Sequence, residues 1–349
     1  MGRKTYKKVI VTPELLAQVN PKNIELRDLF LKEKNARSSD KTIISYLSDL
    51  NIFFIYNLLY NSNKFFVDIK KIELSMFFSY ALEELKWSGA RYRRMKSCLS
   101  SFSNFILKFF DEEYPSFKNI VLTTVETIPK DPIREKTVLS DEQIAYLFAR
   151  LEEDGETQII CWLALALASG ARFSELLRFT TEDISLNNLA YNGIFLETLN
   201  PIKSKGRTKL GKLSKKYIVK DLFWDKYQAW IPIREKILSE HNKNHTFIFI
   251  DKNGDPAKES VARGWVSKIQ SYIDVPFYPH CLRHNLVSKL KLLKFSDELI
   301  QSLFDWSDPK MVATYSDIEV KDREWDELNN LQEYLEKSKL VANSGLVEE

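Results

Sequence analysis

The chain has 349 residues, 44% hydrophobic and 28% charged, which predicts about two folded globular domains and excludes a low-complexity chain. Its net charge of +3 is uneven: residues 317–349 hold ten acidic and four basic side chains, leaving +9 on residues 1–316 and suggesting a polyanion-facing body with an acidic tail. No apolar run reaches the ~18 residues of a membrane span, no signal-peptide core follows the basic start, and three scattered cysteines (Cys98, Cys161, Cys281) suit neither disulfides nor zinc, so a cytoplasmic protein with no membrane partner and no metal is expected.

Residues 1–23 form a basic N-terminal segment. Apolar residues at 3.6-residue spacing then predict helices over Ile24 to Lys34, Thr42 to Leu58, Leu74 to Leu85 and Tyr92 to Phe110. Together they make a helical domain over 24–113. Arg91, Arg93, Arg94 and Lys96 open the last of these helices, where they could meet phosphates or form a solvated basic face. Residues 114–137, with Pro115, Pro129 and Pro132, read as an extended linker. A capping-box pattern from Ser140 to Gln143 opens a second domain over 138–326. Its apolar stretch Thr157 to Ala168 predicts a buried helix. Strands are predicted over Gly193 to Leu199, Lys216 to Lys220 and Thr246 to Asp251, and the pattern returns to helix after Pro256. The expected fold class is therefore mainly α with a small β-sheet or hairpin (α+β), followed by a tail over 327–349.

Four clusters in the second domain carry residue types suited to phosphoryl chemistry. Gly170 to Leu176 ends the buried helix, places Arg172 in the turn, and offers Ser174 as the cap of the next helix. Arg172 needs an anionic partner there, either Glu175 or a phosphate. The stretch Lys203 to Lys220 includes Lys203, Lys205, Arg207 and Lys209; a hairpin this basic fits against an anion such as DNA. His280 and Arg283, three residues apart, share one helix face and combine a proton carrier with a charge-neutralising fork. Trp306 precedes Tyr315 by nine residues, across a turn marked by Pro309. A phenol has a pKa of ~10, so Tyr315 is a nucleophile only beside a base and an activated electrophile.

In this order the clusters resemble the tyrosine recombinase, or phage-type integrase, family. Gly170 to Leu176 matches its first arginine motif, Lys205-Gly206 its hairpin lysine with Lys203 as the alternative, and His280 with Arg283 its His-x-x-Arg box. Trp306 falls on its later His-or-Trp position and Tyr315 on its nucleophile. Many members have Leu-Gly-His where this chain has Phe304-Asp305-Trp306. The resemblance extends more loosely to the N-terminal helices, which are similar to the family's DNA core-binding domain.

The resemblance implies a site-specific DNA strand-exchange enzyme. Tyr315 would attack a phosphate, expel a 5′-hydroxyl and hold the DNA as a 3′-phosphotyrosyl ester. Arg172 and Arg283 would bind the non-bridging oxygens, Lys205 would protonate the leaving oxygen, and His280 would take the tyrosine proton. Trp306 would donate a hydrogen bond and Glu175 would orient its neighbours. It also implies no cofactor and no ATP, a double-stranded DNA site as partner, and a monomer or dimer in solution that becomes a homo-tetramer in synapsis, with the 327–349 tail docked on a neighbouring protomer. A nucleoid-associated recombinase of a phage or mobile element is the first expectation. Chromosome-dimer resolution, an inactive DNA-binding relative and a type IB topoisomerase are the alternatives.

Overall fold

The computed structural model describes residues 11–128, 137–204, 211–306, 308 and 312. It is mainly helical with two small sheets, and it divides into two compact units.

The N-terminal unit is built on four helices. Asn20 accepts a hydrogen bond from the Lys22 N–H to start α1 (Pro21–Asn35), with Pro21 presetting the first helical φ. Ser39 caps α2 (Asp40–Tyr60) in the same way, and Ser88 caps α4 (Gly89–Phe109), which follows α3 (Lys71–Glu83). Phenylalanines dominate the core: Phe53 meets Phe77 edge-on at 5.0 Å, and Phe30 meets Phe102 at 5.3 Å. Among the described residues α2 is the one helix whose length and mean hydropathy of 1.3 would suit a membrane span. Asp49 and Asn51 interrupt its sequence, which is why a search for unbroken apolar runs passes over it. Leu50, Phe53, Phe54 and Ile55 of this helix are buried in the phenylalanine core. Residues 114–128 are not an extended linker. Val121 and Val125 are buried in the same core, and Tyr114, Phe117 and Ile120 pack against it. The β-branched and aromatic side chains that resemble extended chain in the sequence are the ones this segment buries.

In the C-terminal unit, Ser140 and Gln143 form a reciprocal capping box at the start of α5 (Asp141–Glu153). The next helix, α6 (Thr157–Ser169), has no polar face: every residue from Ile159 to Ser169 is buried. It forms the centre of the unit. After it come the short helix α7 (Phe173–Leu176) and five strands, β1 (Leu189–Ala190), β2 (Phe195–Glu197), β3 (Ile202–Ser204), β4 (Lys212–Ser214) and β5 (Tyr217–Val219). Strands β1, β2 and β5 form an antiparallel sheet in which Phe195 faces Val219 and Leu196 faces Ile218, while β3 and β4 pair separately. Four further helices are present among the described residues: α8 (Lys220–Glu240), α9 (Glu259–Tyr272), α10 (Pro279–Leu292) and α11 (Asp297–Leu303). Both α8 and α10 pack on α6.

The strand expected over 246–251 is absent, and only isolated bridges from Thr180 to Phe247 and from Ile250 to Pro256 occur there. Ile248, Phe249 and Ile250 are buried as their apolar run suggests. Side chains satisfy much of the backbone: Trp230 Nε1 donates to the Ile248 carbonyl at 2.9 Å, and the Ile250 N–H donates to Gln158 at 2.9 Å.

Gly170 ends α6 at φ +54°, and a Cβ there would lie 2.5 Å from the Phe304 ring and 3.3 Å from Leu286. Gly170→Ala is therefore expected to cost roughly 2–4 kcal/mol from left-handed strain and overpacking. Thermal unfolding reads this directly. An unchanged midpoint would mean that Phe304 moves aside at no cost.

Candidate active site

Arg172 follows the end of α6 by way of Gly170 and Ala171, and it is itself the N-cap of α7, a position the sequence suggested for Ser174. Glu175 makes this possible. One of its carboxylate oxygens accepts the Arg172 backbone N–H at 3.1 Å, and the other accepts the Arg172 guanidinium at 2.8 Å. The arginine is thereby held through both its backbone and its fork, with its side chain about a third exposed.

Arg283 arrives from the second turn of α10, which opens with Pro279. Its guanidinium donates to the Gly170 carbonyl at 2.6 Å and lies 4.8 Å from the Phe304 ring and 4.9 Å from the Trp306 ring. Those two rings stack on each other at 5.1 Å. They belong to the turn after α11, where Asp305 takes a left-handed φ of 51°. Glycine adopts that conformation most readily and aspartate tolerates it, which accounts for Asp305 at a position where many of the resembled sequences have Gly. Trp306 is buried, so its ring is a wall for Arg283.

His280 lies one turn before Arg283 and keeps an exposed edge, with its ring 4.8 Å from that of His284. The packing around the rest of its ring, then the charges of Arg283 and Arg172, push its pKa down. The imidazole is therefore neutral at physiological pH and able to accept a proton.

Lys216 completes the cluster, and the sequence did not single it out. It is buried, 6% exposed, with its ammonium 3.5 Å from Glu175. Burial lowers its pKa, Glu175 opposes that, and Arg172 and Arg283 add to the lowering, with Asp305 acting the other way. A signal existed in the strand phase: Lys216 stands two residues before the buried Ile218, hence on the same inward face. Three cations thus face two carboxylates, an excess that suits an anion.

Burial alone would raise the pKa of Glu175, but the Lys216 charge and the Arg172 hydrogen bond and charge outweigh it and hold it at about 2. An acid held below its ordinary value stabilises the fold above about pH 4.5, and that contribution fades as pH falls toward 2. Glu175→Gln is expected to lose on the order of 3 kcal/mol at neutral pH and to unfold with a flatter acid dependence than the parent. Parallel stability–pH curves for parent and variant would refute this assignment.

Lys203 is exposed on β3, and its carbonyl accepts a hydrogen bond from Arg178. Lys205, Arg207, Lys209 and Tyr315 lie outside the described residues. Among the described residues no group of three His, Cys, Asp or Glu side chains is placed to hold a metal ion.

The four basic residues of α4 in the N-terminal unit divide by role. Arg91 and Arg94 both pair with the fully buried Asp49, at 2.7 and 2.8 Å. Arg93 and Lys96 instead line an open cleft of about 580 Å³ with Lys34, Arg37, Lys108 and the hydroxyls of Ser97, Ser100 and Ser101. Lys96 also donates to the Val125 carbonyl at 2.5 Å.

A family model described as "Phage integrase family" matches residues 137–321. Over 267 residues the chain is 26% identical to a tyrosine recombinase XerC of Rickettsia bellii, covering 72% of this chain and 78% of that protein. Its fold is similar to that of XerH site-specific recombinase bound to a palindromic difH substrate, with a TM-score of 0.62, 15% identity, and coverage of 91% and 96% of the two chains. It is also similar to a lambda integrase tetramer bound to a Holliday junction, with a TM-score of 0.58, 17% identity, and coverage of 84% and 76%.

Proposed function

The chain belongs to the phage integrase family and is a site-specific tyrosine recombinase, and from that premise we propose that Tyr315 cuts and rejoins duplex DNA at the Arg172–Arg283 cluster. One observation carries the reading: Arg172, Glu175, Lys216, His280, Arg283 and Trp306, scattered over 135 sequence positions, surround one electropositive site. In the proposed reaction the phenol oxygen of Tyr315 bonds to phosphorus and the P–O5′ bond breaks. The phenol proton passes to His280. The leaving 5′ oxygen takes a proton from Lys205. Arg172 and Arg283 neutralise the non-bridging oxygens, where charge builds in the transition state. Trp306 serves by holding Arg283 in plane, a role its buried ring supports better than direct donation to DNA. Reversal with a 5′-hydroxyl from another strand reseals the DNA, so the ester conserves the energy of the broken bond.

The cleft lined by Arg93 is the proposed phosphate track of the N-terminal unit. Arg93→Ala should weaken DNA binding at all sequences and reduce the slope of log K against log salt by about 1. An unchanged slope would remove Arg93 from the interface. Assembly into a tetramer is proposed by analogy with the lambda integrase tetramer, and docking of the tail from 327 on a neighbour is proposed from the family resemblance alone.

The test is to incubate the whole protein with DNA from its source and isolate protein–DNA adducts that survive detergent. Sequencing the trapped DNA then gives the site. Absence of any adduct would leave the chain a DNA-binding protein only. The same sequences decide its biological role. Ends of a mobile element favour integration, whereas one fixed chromosomal locus favours dimer resolution, a reading encouraged by similarity to a protein named XerC.

A further inference from the structure

Asp49 has no part in the reaction as proposed, yet it is an acid placed wholly inside the N-terminal unit, next to the core residue Leu50 of α2. Two arginines of α4 reach it. Arg94 grips it side-on, donating from Nε to Oδ2 at 3.0 Å and from Nη2 to Oδ1 at 2.8 Å. Arg91 Nη2 lies 2.7 Å from the same Oδ1, and the Arg91 guanidinium also lies 5.0 Å from the Trp87 ring. Three residues apart, the two arginines share one face of α4. A single carboxylate oxygen thus joins two like charges that would otherwise move apart.

We propose that Asp49 is a positioning residue that holds Arg91 and Arg94 together as one seat for a single backbone phosphate of duplex DNA, separate from the cleft lined by Arg93. This rests on the reading of the chain as a DNA-cutting recombinase. Burying a carboxylate is costly, and an apolar side chain would fill the space without that cost, so packing alone is a poor account of Asp49. Exposure rises outward from the acid to the cations: the side chains of Asp49, Arg91 and Arg94 are 0%, 24% and 43% exposed. Two arginines on one carboxylate leave a net positive charge, and that charge lies on the outer side of the group. Arg94 spends two of its five N–H donors on Asp49, so the others can serve a ligand while its plane stays fixed. A phosphate offers two non-bridging oxygens, one for each guanidinium, and two charge-assisted contacts to one anion need the forks held side by side. Asp49 supplies that arrangement before any DNA arrives.

The test measures binding of the full chain to a random-sequence duplex across a range of salt concentrations, with thermal unfolding of each variant as the check on folding. Asp49→Asn makes the protein more positive, so charge alone predicts tighter binding. The seat predicts the reverse, a loss of about 3- to 10-fold, because the arginines lose their common anchor. Arg94→Gln should weaken binding by a similar factor. It leaves Asp49 paired with Arg91 and decides the matter where Asp49→Asn does not fold. The triple variant Asp49→Asn, Arg91→Gln, Arg94→Gln should lose about one unit of the slope of log K against log salt, since both arginines serve one phosphate. A loss near two units would mean two independent contacts, and no loss would make the group purely structural; either result overturns the inference. Tighter binding by Asp49→Asn, or unchanged binding by Arg94→Gln, overturns it as well. In all these cases a parent that still binds the duplex and forms the DNA adduct leaves the proposed function standing. A parent that binds no duplex would bring down the recombinase reading, and the seat with it.

Discussion

Tyr315→Phe is expected to abolish the detergent-stable DNA adduct while changing duplex affinity by less than about twofold. The substitution removes one oxygen and leaves the ring, so neither charge nor bulk near the DNA changes. Without that oxygen the proposed bond to phosphorus cannot form, and among the described residues of the cluster neither His280 nor Cys281 is suited to replace it. His280 is kept neutral by its surroundings and is assigned to proton transfer, and Cys281 is buried with its thiol pKa pushed up to about 11. Val312, three residues before Tyr315 in the sequence, is buried in one cluster with Leu286, Leu303, Phe304 and Trp306. Adduct yield on a nicked duplex that cannot religate, compared with gel-shift affinity, measures both halves. An adduct that persists in the phenylalanine variant would assign the nucleophile elsewhere.

Chemistry narrowed the sequence where few residue types can do the task. A guanidinium three residues from an imidazole implies one helix face, and His280 and Arg283 do stand one turn apart at the start of α10. Arg172 with Glu175 was legible for the same reason, although which residue caps α7 was not, because the cap depends on the carboxylate folding back to the arginine backbone. Lys216 was hidden by its neighbours. It is one of eight basic residues between Lys203 and Lys220, and only the phase of a three-residue strand marks it as inward. Phe304 could be read as a core residue, but not as half of a stacked platform under Arg283, since that contact joins α10 to the turn after α11. The segments 114–128 and 246–251 show the opposite error. Their apolar residues indicate burial, but the backbone of 114–128 closes on local turns and a short helix over Val121–Thr124, and that of 246–251 bonds to side chains distant in sequence, so neither is the extended chain or the ladder strand that its pattern suggests.

Arg283→Lys should slow strand cleavage by about 10²- to 10³-fold although the charge is kept. The reason lies in how Arg283 is held. The residue is 3% exposed, and its guanidinium donates to the Gly170 carbonyl and lies against two rings, so its plane is fixed before any DNA arrives. A lysine ammonium is a point charge on a flexible stem. It could bond Gly170 or reach toward a phosphate, but it cannot lie flat on the rings while presenting a fork. If the platform is what matters, Trp306 must act through Arg283. Trp306→Phe, which keeps a ring, should then cost less than about tenfold, and Trp306→Ala should approach the loss seen in Arg283→Lys. Combined, Trp306→Ala and Arg283→Lys should cost little more than Arg283→Lys alone, because the second change removes support from a group already lost. Single-turnover cleavage rates for these variants on one duplex make the comparison. Fully multiplicative losses would mean that Trp306 contributes independently, as a donor to the phosphate, and the platform account would be wrong.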